Sequence, residues 1–253
     1  MYVQHFKIRK SLVISLTIIL SLFFILVPSV IAVDDFYKPY LHKANVPEHP
    51  KIKLYGSYQT NLFPGAATYT YPIEVPQGTN GLQPSISVTY NSQSVKQRPG
   101  ILGAGWSLTG NYIYRDVNST PDNTTDDEFK LVLNDASYDL IYDSNDTFYH
   151  TKIDSFIRVQ NLTGAPNSYG LYWIITTKDG TQLRFGYNSG SELASNTGKN
   201  YALRWSLDEV EDIHDNKIFY TYSENPNTED NGTAYLSKIQ YNNDKKREIN
   251  FVW

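Results

Sequence analysis

Residues Gly65 to Gly110 read GAATYTYPIEVPQGTNGLQPSISVTYNSQSVKQRPGILGAGWSLTG. Tyr69, Tyr71, Ile73 and Val75 form one period-two run of β-favouring side chains, Ile86, Val88 and Tyr90 a second, Trp106 and Leu108 a third. Gly and Pro interrupt these runs too often for a helix to establish itself. The stretch therefore predicts short antiparallel strands joined by tight turns, and with them an all-β fold.

Composition supports that expectation along the whole chain. Its 253 residues suffice for one large β domain with a sizeable core. Aromatic residues make up 14%, with 21 Tyr against a single Met, a balance that favours strands over helices. Formal net charge is −4, and Lys7, Arg9 and Lys10 supply three positive charges at the start, so the remainder stands near −7. An acidic surface repels phosphate backbones, which argues against nucleic acid as a partner. No cysteine is present, which excludes disulfides, Cys-ligated zinc and a thiol nucleophile together.

Upstream of the quoted stretch, residues 1–32 combine that basic start with a weakly polar-to-apolar run from Ser11 to Val27, followed by Pro28, Ser29, Val30 and Ala32. This reads as a secretory signal peptide cleaved after Ala32. An uncleaved N-terminal membrane anchor is the alternative, because the run extended to Val33 meets the about 20 residues needed to cross a bilayer. Either reading places the rest of the chain outside the cytoplasm, as a secreted or extracellular protein. Residues 33–64, with Pro39, Pro47, Pro50 and Pro64, read as an extended lead-in in which Leu54, Tyr55 and Tyr58 offer a first edge strand.

Downstream, residues 65–253 continue as strands and turns. Phe129, Leu131 and Leu133 lead through Asn134-Asp135-Ala136 to Tyr138, Leu140 and Tyr142. Asp179-Gly180 predicts a two-residue type I′ hairpin that pairs Lys178 with Thr181, Thr176 with Leu183, Ile174 with Phe185 and Tyr172 with Tyr187. Trp205-Ser206-Leu207 and Val210 are followed by a turn at His214-Asp215-Asn216, then by Ile218, Tyr220 and Tyr222. Leu236, Ile239 and Tyr241, a charged turn at 243–247, and Ile249, Phe251 and Trp253 end the sequence. The last run, rich in large apolar side chains, is expected at a sheet edge, and the chain reads as an incomplete part of a larger protein.

The motifs of the quoted stretch closely resemble the opening of the SpvB N-terminal domain family, shared with the B component of insecticidal toxin complexes and with RHS/YD-repeat proteins. The resemblance is carried by Gly65-Ala66-Ala67 with Tyr69, Tyr71-Pro72-Ile73, Val75-Pro76 with Gly78, Gly81-Leu82-Gln83-Pro84, Tyr90-Asn91-Ser92 and Gly103-Ala104-Gly105-Trp106-Ser107-Leu108. Asp154-Ser155-Phe156-Ile157 resembles a strand that comes later in the family, and the units from Trp205 onward resemble RHS/YD strand-turn-strand units, with Asp215 where a turn glycine is usual. The resemblance implies an all-β, shell-like, non-catalytic N-terminal domain of an exported toxin-like protein, running into RHS/YD-like units. Such a shell would enclose a C-terminal effector, and its partners would be downstream RHS repeats or a toxin-complex C-type protein. A cell-surface binding or adhesion module is the alternative, its exposed Tyr and Trp meeting a protein or a glycan.

Residues that invite a chemical reading give way to plainer ones. Gly100, Gly103 and Gly105 follow a G-x-x-G-x-G order with no helix after them, so they read as turn glycines and not as a phosphate cradle. Ser107 lacks the spacing and the strand-to-helix context of a nucleophile elbow. His42, His49, His150 and His214 form no H-x-x-x-H pair. Asp122–Glu128 and Asp143–Asp146 read as solvated loops without the turn glycine of a calcium site. Asp208/Glu209 and Glu211/Asp212 are neighbours on a strand, where successive side chains diverge and cannot act as a carboxylate pair. No catalytic, cofactor-binding or metal-ligating residue is assigned. Asn118, Asn123, Asn145, Asn161 and Asn231 head N-x-Ser/Thr sequons, candidate N-glycosylation sites all expected in loops.

Overall fold

The computed structural model describes residues 56–61, 65–97, 99–194, 198–224 and 232–253, which all lie in the unit Leu54–Trp253. The leader, most of the lead-in and Asn231 lie outside the described residues. Every described strand pairing is antiparallel, and the described helical pieces are three short 3-10 turns at Thr79–Gly81, Ser92–Lys96 and Ser189–Ser191.

The quoted stretch builds most of a four-stranded sheet: β1 (Ser57–Asn61), β2 (Ala66–Pro72), β3 (Ser87–Asn91) and β4 (Trp106–Leu108), in that order. Tyr58 lies on the edge strand β1, 66% exposed. Ile73 and Val75 fall outside β2, contrary to the sequence pattern. Pro72, Pro76 and Pro84 offer no N–H to a ladder, so the chain leaves the sheet and returns only at Ser87. The excursion is put to use: Ile73, Val75, Leu82 and Ile86 pack on the main core, and the Tyr241 hydroxyl donates to the Pro76 carbonyl at 2.8 Å.

The second sheet closes on itself. β5 (Tyr112–Asp116), β6 (Glu128–Leu133), β7 (Ala136–Asp143), β8 (Phe148–Thr151), β9 (Arg158–Thr163), β10 (Leu171–Thr176) and β11 (Gln182–Phe185) follow one another as neighbours. The long strand β13 (Ala202–Glu211) then joins β5 through Arg204–Ser206 and β11 through Leu207–Glu211, completing an eight-stranded antiparallel barrel. The short β12 (Glu192–Ala194) lines the first half of β13. Where β5 ends, β14 (Lys217–Glu224) takes over beside Glu209–Glu211, and β15 (Ala234–Tyr241) and β16 (Arg247–Asn250) extend from it as a meander. β16 pairs with β15 and, among the described residues, forms an edge of the sheet; of the last apolar run Ile249 lies in it, while Phe251 and Trp253 follow just beyond.

Alternation fills the barrel with side chains. Ile113, Leu131, Val159, Trp173, Ile175, Phe185 and Trp205 have no exposed surface. Trp173 and Trp205 meet edge-on at 5.7 Å between centroids, and Phe129 lies 4.9 Å from Trp173. Burying each large apolar side chain contributes roughly 1.5–3 kcal/mol.

Three local expectations are corrected. The hairpin at Asp179-Gly180 pairs Trp173 with Phe185, Ile175 with Leu183 and Thr176 with Gln182, one residue away from the register expected. Its loop has three residues, with Gly180 at φ +87° and the Thr177 N–H bonded to the Thr181 carbonyl. Asp154–Phe156 is a loop and not a strand: the Asp154 carboxylate accepts the Phe156 N–H, and Phe156 takes φ +57° with 70% exposure. In the acidic loop, Asp127 is buried instead of solvated, because the Arg115 guanidinium reaches it from β5.

Candidate functional site

The barrel closes on a bulge. Arg184 stands opposite Glu209 and Phe185 opposite Leu207, which leaves Asp208 as the extra residue. A bulge cancels the strict alternation of a strand. Asp208 and Glu209 therefore converge on one cation: Arg184 Nε lies 2.7 Å from Asp208 and Nη2 3.1 Å from Glu209. The expected divergence of these adjacent acids is thus overturned. Asp208, 1% exposed, also accepts the Tyr187 N–H at 2.7 Å, the Asn188 N–H at 3.0 Å and the Ser191 hydroxyl at 3.0 Å. Burial pushes its pKa up, against the pull of Arg184 and these donors. The cluster is saturated by its own chain and acts as a clasp that ties β11 and its following turn to β13.

A second charged group, Arg115, plugs the barrel beside Trp205. Its Nε donates to the Ala202 carbonyl at 3.1 Å, its guanidinium pairs with Asp127, and the rings of Phe129 and Tyr201 lie 5.2 and 4.8 Å from it. Glu192, on β12, is 2% exposed; its Oε1 has no partner, and among the described residues its Oε2 receives one long bond, 3.5 Å from the Tyr169 N–H. Burial raises its pKa to about 7, with Glu224 adding to the rise.

A cleft of about 340 Å³ opens between β4 and the branch strands, walled by Trp106, Tyr112, Tyr222, Tyr235 and Trp253 around Arg204. Trp106 and Trp253 are 37% and 47% exposed, and Trp253 donates its indole N–H to the Leu236 carbonyl at 2.8 Å. One signal in the sequence marks Arg204, a cation inside the apolar run Tyr201–Leu207. None marks the cleft, whose walls come from widely separated parts of the chain.

The remaining expected residues scatter. Ser107 lies in β4 with its hydroxyl on the Thr89 carbonyl. Gly103 and Gly105 take φ +95° and +78° in tight turns. His150 pairs with Asp146 at 2.8 Å, and the ligand atoms of Asp143, Asp146 and His150 lie within 4.8 Å of one another on the surface. Asn118, Asn123 and Asn145 sit in exposed turns, each with its side chain hydrogen-bonded locally. Asn161 does not: it lies in β9, half-buried, opposite Trp173. The Asn-Leu-Thr sequence reads as a loop, yet it is carried by strand pairing on the side of the barrel core.

Comparison with known proteins gives consistent matches. The profile described as SpvB, Salmonella virulence plasmid 65kDa B protein, matches residues 61–253. Among solved structures, the N-terminal domain of effector protein SpvB from Salmonella typhimurium strain LT2 is similar at 20% identity and TM-score 0.50, over 67% of this chain and 62% of that one. The Photorhabdus luminescens Tc holotoxin pore matches at 18% identity and TM-score 0.55, over 74% of this chain and 10% of that one. A TcdB2-TccC3 structure matches at 18% identity and TM-score 0.55, over 76% and 10%. The chain thus spans about three fifths of the SpvB domain structure and a tenth of the toxin-complex chains. No curated protein sequence matches it.

Proposed function

The chain belongs to the SpvB family, and from that premise we propose that it is a non-catalytic structural domain of an exported toxin-like protein, forming part of a β-shell around a C-terminal effector. The observation that carries this reading is the family match over residues 61–253, joined to a fold shared with much larger toxin-complex chains. The barrel itself is solid, so a hollow would be bounded by such modules and not contained within one. The charged clusters fit a structural role, since Arg115, Arg184 and Asp208 are spent on contacts within the chain. Downstream RHS repeats or a toxin-complex C-type protein are the partners this reading implies. Export rests on the leader, and cleavage after Ala32 would leave Val33 as the first residue of the secreted chain.

Electron microscopy of the full-length gene product tests the proposal. A hollow particle whose wall contains this barrel, with a protease-protected C-terminal portion, is expected. A reading frame that stops at the Trp253 codon, or a particle without a cavity, would refute the shell. The exposed rings of Trp106 and Trp253 favour a second reading, a surface-binding module. A full-length particle that has no cavity and adheres to cells would select it.

A further inference from the structure

Arg204 and Arg115 sit on neighbouring strands of one barrel and have opposite fates. Arg115 has a carboxylate, a carbonyl and ring faces around it. At Arg204 the buried Nε has no hydrogen-bond partner, Nη2 reaches the Ala234 carbonyl at a long 3.4 Å, and the Tyr112 ring lies 5.4 Å away. Its titratable neighbours are Tyr112 and Tyr222, and among the described residues no carboxylate pairs with it. Burial correspondingly pushes its pKa down. A guanidinium withdrawn from water without a counter-charge is costly, and an arriving anion offsets that cost.

The walls of the cleft say what should carry the anion. Tryptophan and tyrosine supply its largest side chains, and three of the lining hydroxyls are already engaged: Ser107 with the Thr89 carbonyl, Thr109 with Ser87 at 2.6 Å, Tyr222 with the Leu207 carbonyl at 2.9 Å. A polyhydroxylated sugar would leave its own hydroxyls unpaired against such walls, whereas a flat apolar ring would not. The volume of about 340 Å³ falls within the range of small-molecule sites. We propose that this cleft binds a small carboxylate borne on a flat apolar ring, an aryl or indolyl acid, with the carboxylate on Arg204 and the ring against the Trp106 and Trp253 side. The site goes beyond the shell reading and does not depend on it.

Calorimetric titration of the whole chain with phenylacetate, phenylacetamide and glucuronate decides the matter. Phenylacetate is expected to bind, and the neutral amide to bind about tenfold more weakly or worse, as for loss of a charge-assisted contact. Arg204→Gln should lose a similar factor while keeping its thermal midpoint at or above the parent's, since a half-buried cation with no carboxylate partner among the described residues has been removed. Equal affinity for acid and amide, no response to phenylacetate at millimolar concentration, or glucuronate binding as tightly as phenylacetate would each overturn the assignment. Should Arg204→Gln fail to fold, the comparison of acid with amide on the unaltered chain decides alone.

Discussion

Glu192 is a carboxyl that the fold keeps from water without giving it a full set of partners. The folded chain holds this proton to about pH 7, whereas the ordinary carboxyl titrates near 4.5. The stability tied to the neutral acid is therefore complete below pH 4.5 and lost as the pH rises through about 7. Glu192→Gln should match the parent near pH 4 and exceed it at pH 8 by on the order of 1–2 kcal/mol. Urea denaturation at both pH values measures this, and an advantage that does not change with pH would refute it. Gly186 marks the opposite kind of constraint. It takes φ +72°, and a Cβ there would lie 2.2 Å from Trp205 Cδ1. Gly186→Ala should cost about 3 kcal/mol, from overpacking and the left-handed backbone together; an unchanged thermal midpoint would show that Trp205 can move aside. Neither residue was legible in the sequence, because each owes its situation to partners from distant parts of the chain, Gly186 to the closure of the barrel and Glu192 to the pairing of β12 with β13.

At the scale of elements, most strands were legible, while the loop at Asp154–Phe156, the departure of Ile73 and Val75 from β2, the strand at Asn161 and one register were not. Alternation located Phe129 to Tyr142 and Trp205 to Tyr222, and the turn between β6 and β7 has Asn134 and Asp135 both at positive φ, +51° and +64°. That is the two-residue geometry expected at Asp179-Gly180, where Gly180 alone of the pair takes positive φ. A slip of one residue exchanges the faces of a strand. Alternation is blind to it here because β10, Leu-Tyr-Trp-Ile-Ile-Thr, is apolar on both faces and offers nothing to choose between. Tyr172 and Tyr187 still meet, 5.1 Å apart. The turn from β13 to β14 repeats the three-residue geometry, with the Asp215 N–H on the Asp212 carbonyl and Asp215 at φ +62°. The aspartate tolerates the conformation that the usual turn glycine would adopt freely. Asp215→Gly should stabilise the chain by about 0.5–1 kcal/mol, seen as a raised thermal midpoint; a lowered one would mean that the carboxylate has a role of its own.

For the whole molecule, sequence indicated an all-β chain with an apolar edge near its end, and the structure adds how the sheets are joined. Strand pairing is a local property, but closure depends on β13 being long enough to serve two sets of neighbours and on the Asp208 bulge between them. Barrel closure has a weak seam, since β8 and β9 share only the pair Tyr149 and Val159. The branch at β13 bears on how the molecule would resist being pulled. Tension applied at Trp253 meets β16, then β15, then β14, each antiparallel to the last, so hydrogen bonds break in succession at low force. At β13 the same pull meets a strand gripped along both edges by β5, β11 and β12, and many bonds must fail together. Force spectroscopy should show a soft release of the meander followed by one abrupt peak as the barrel gives way; a first rupture in the barrel would contradict it. The strand that closes the wall is also the point at which a load from downstream would stop.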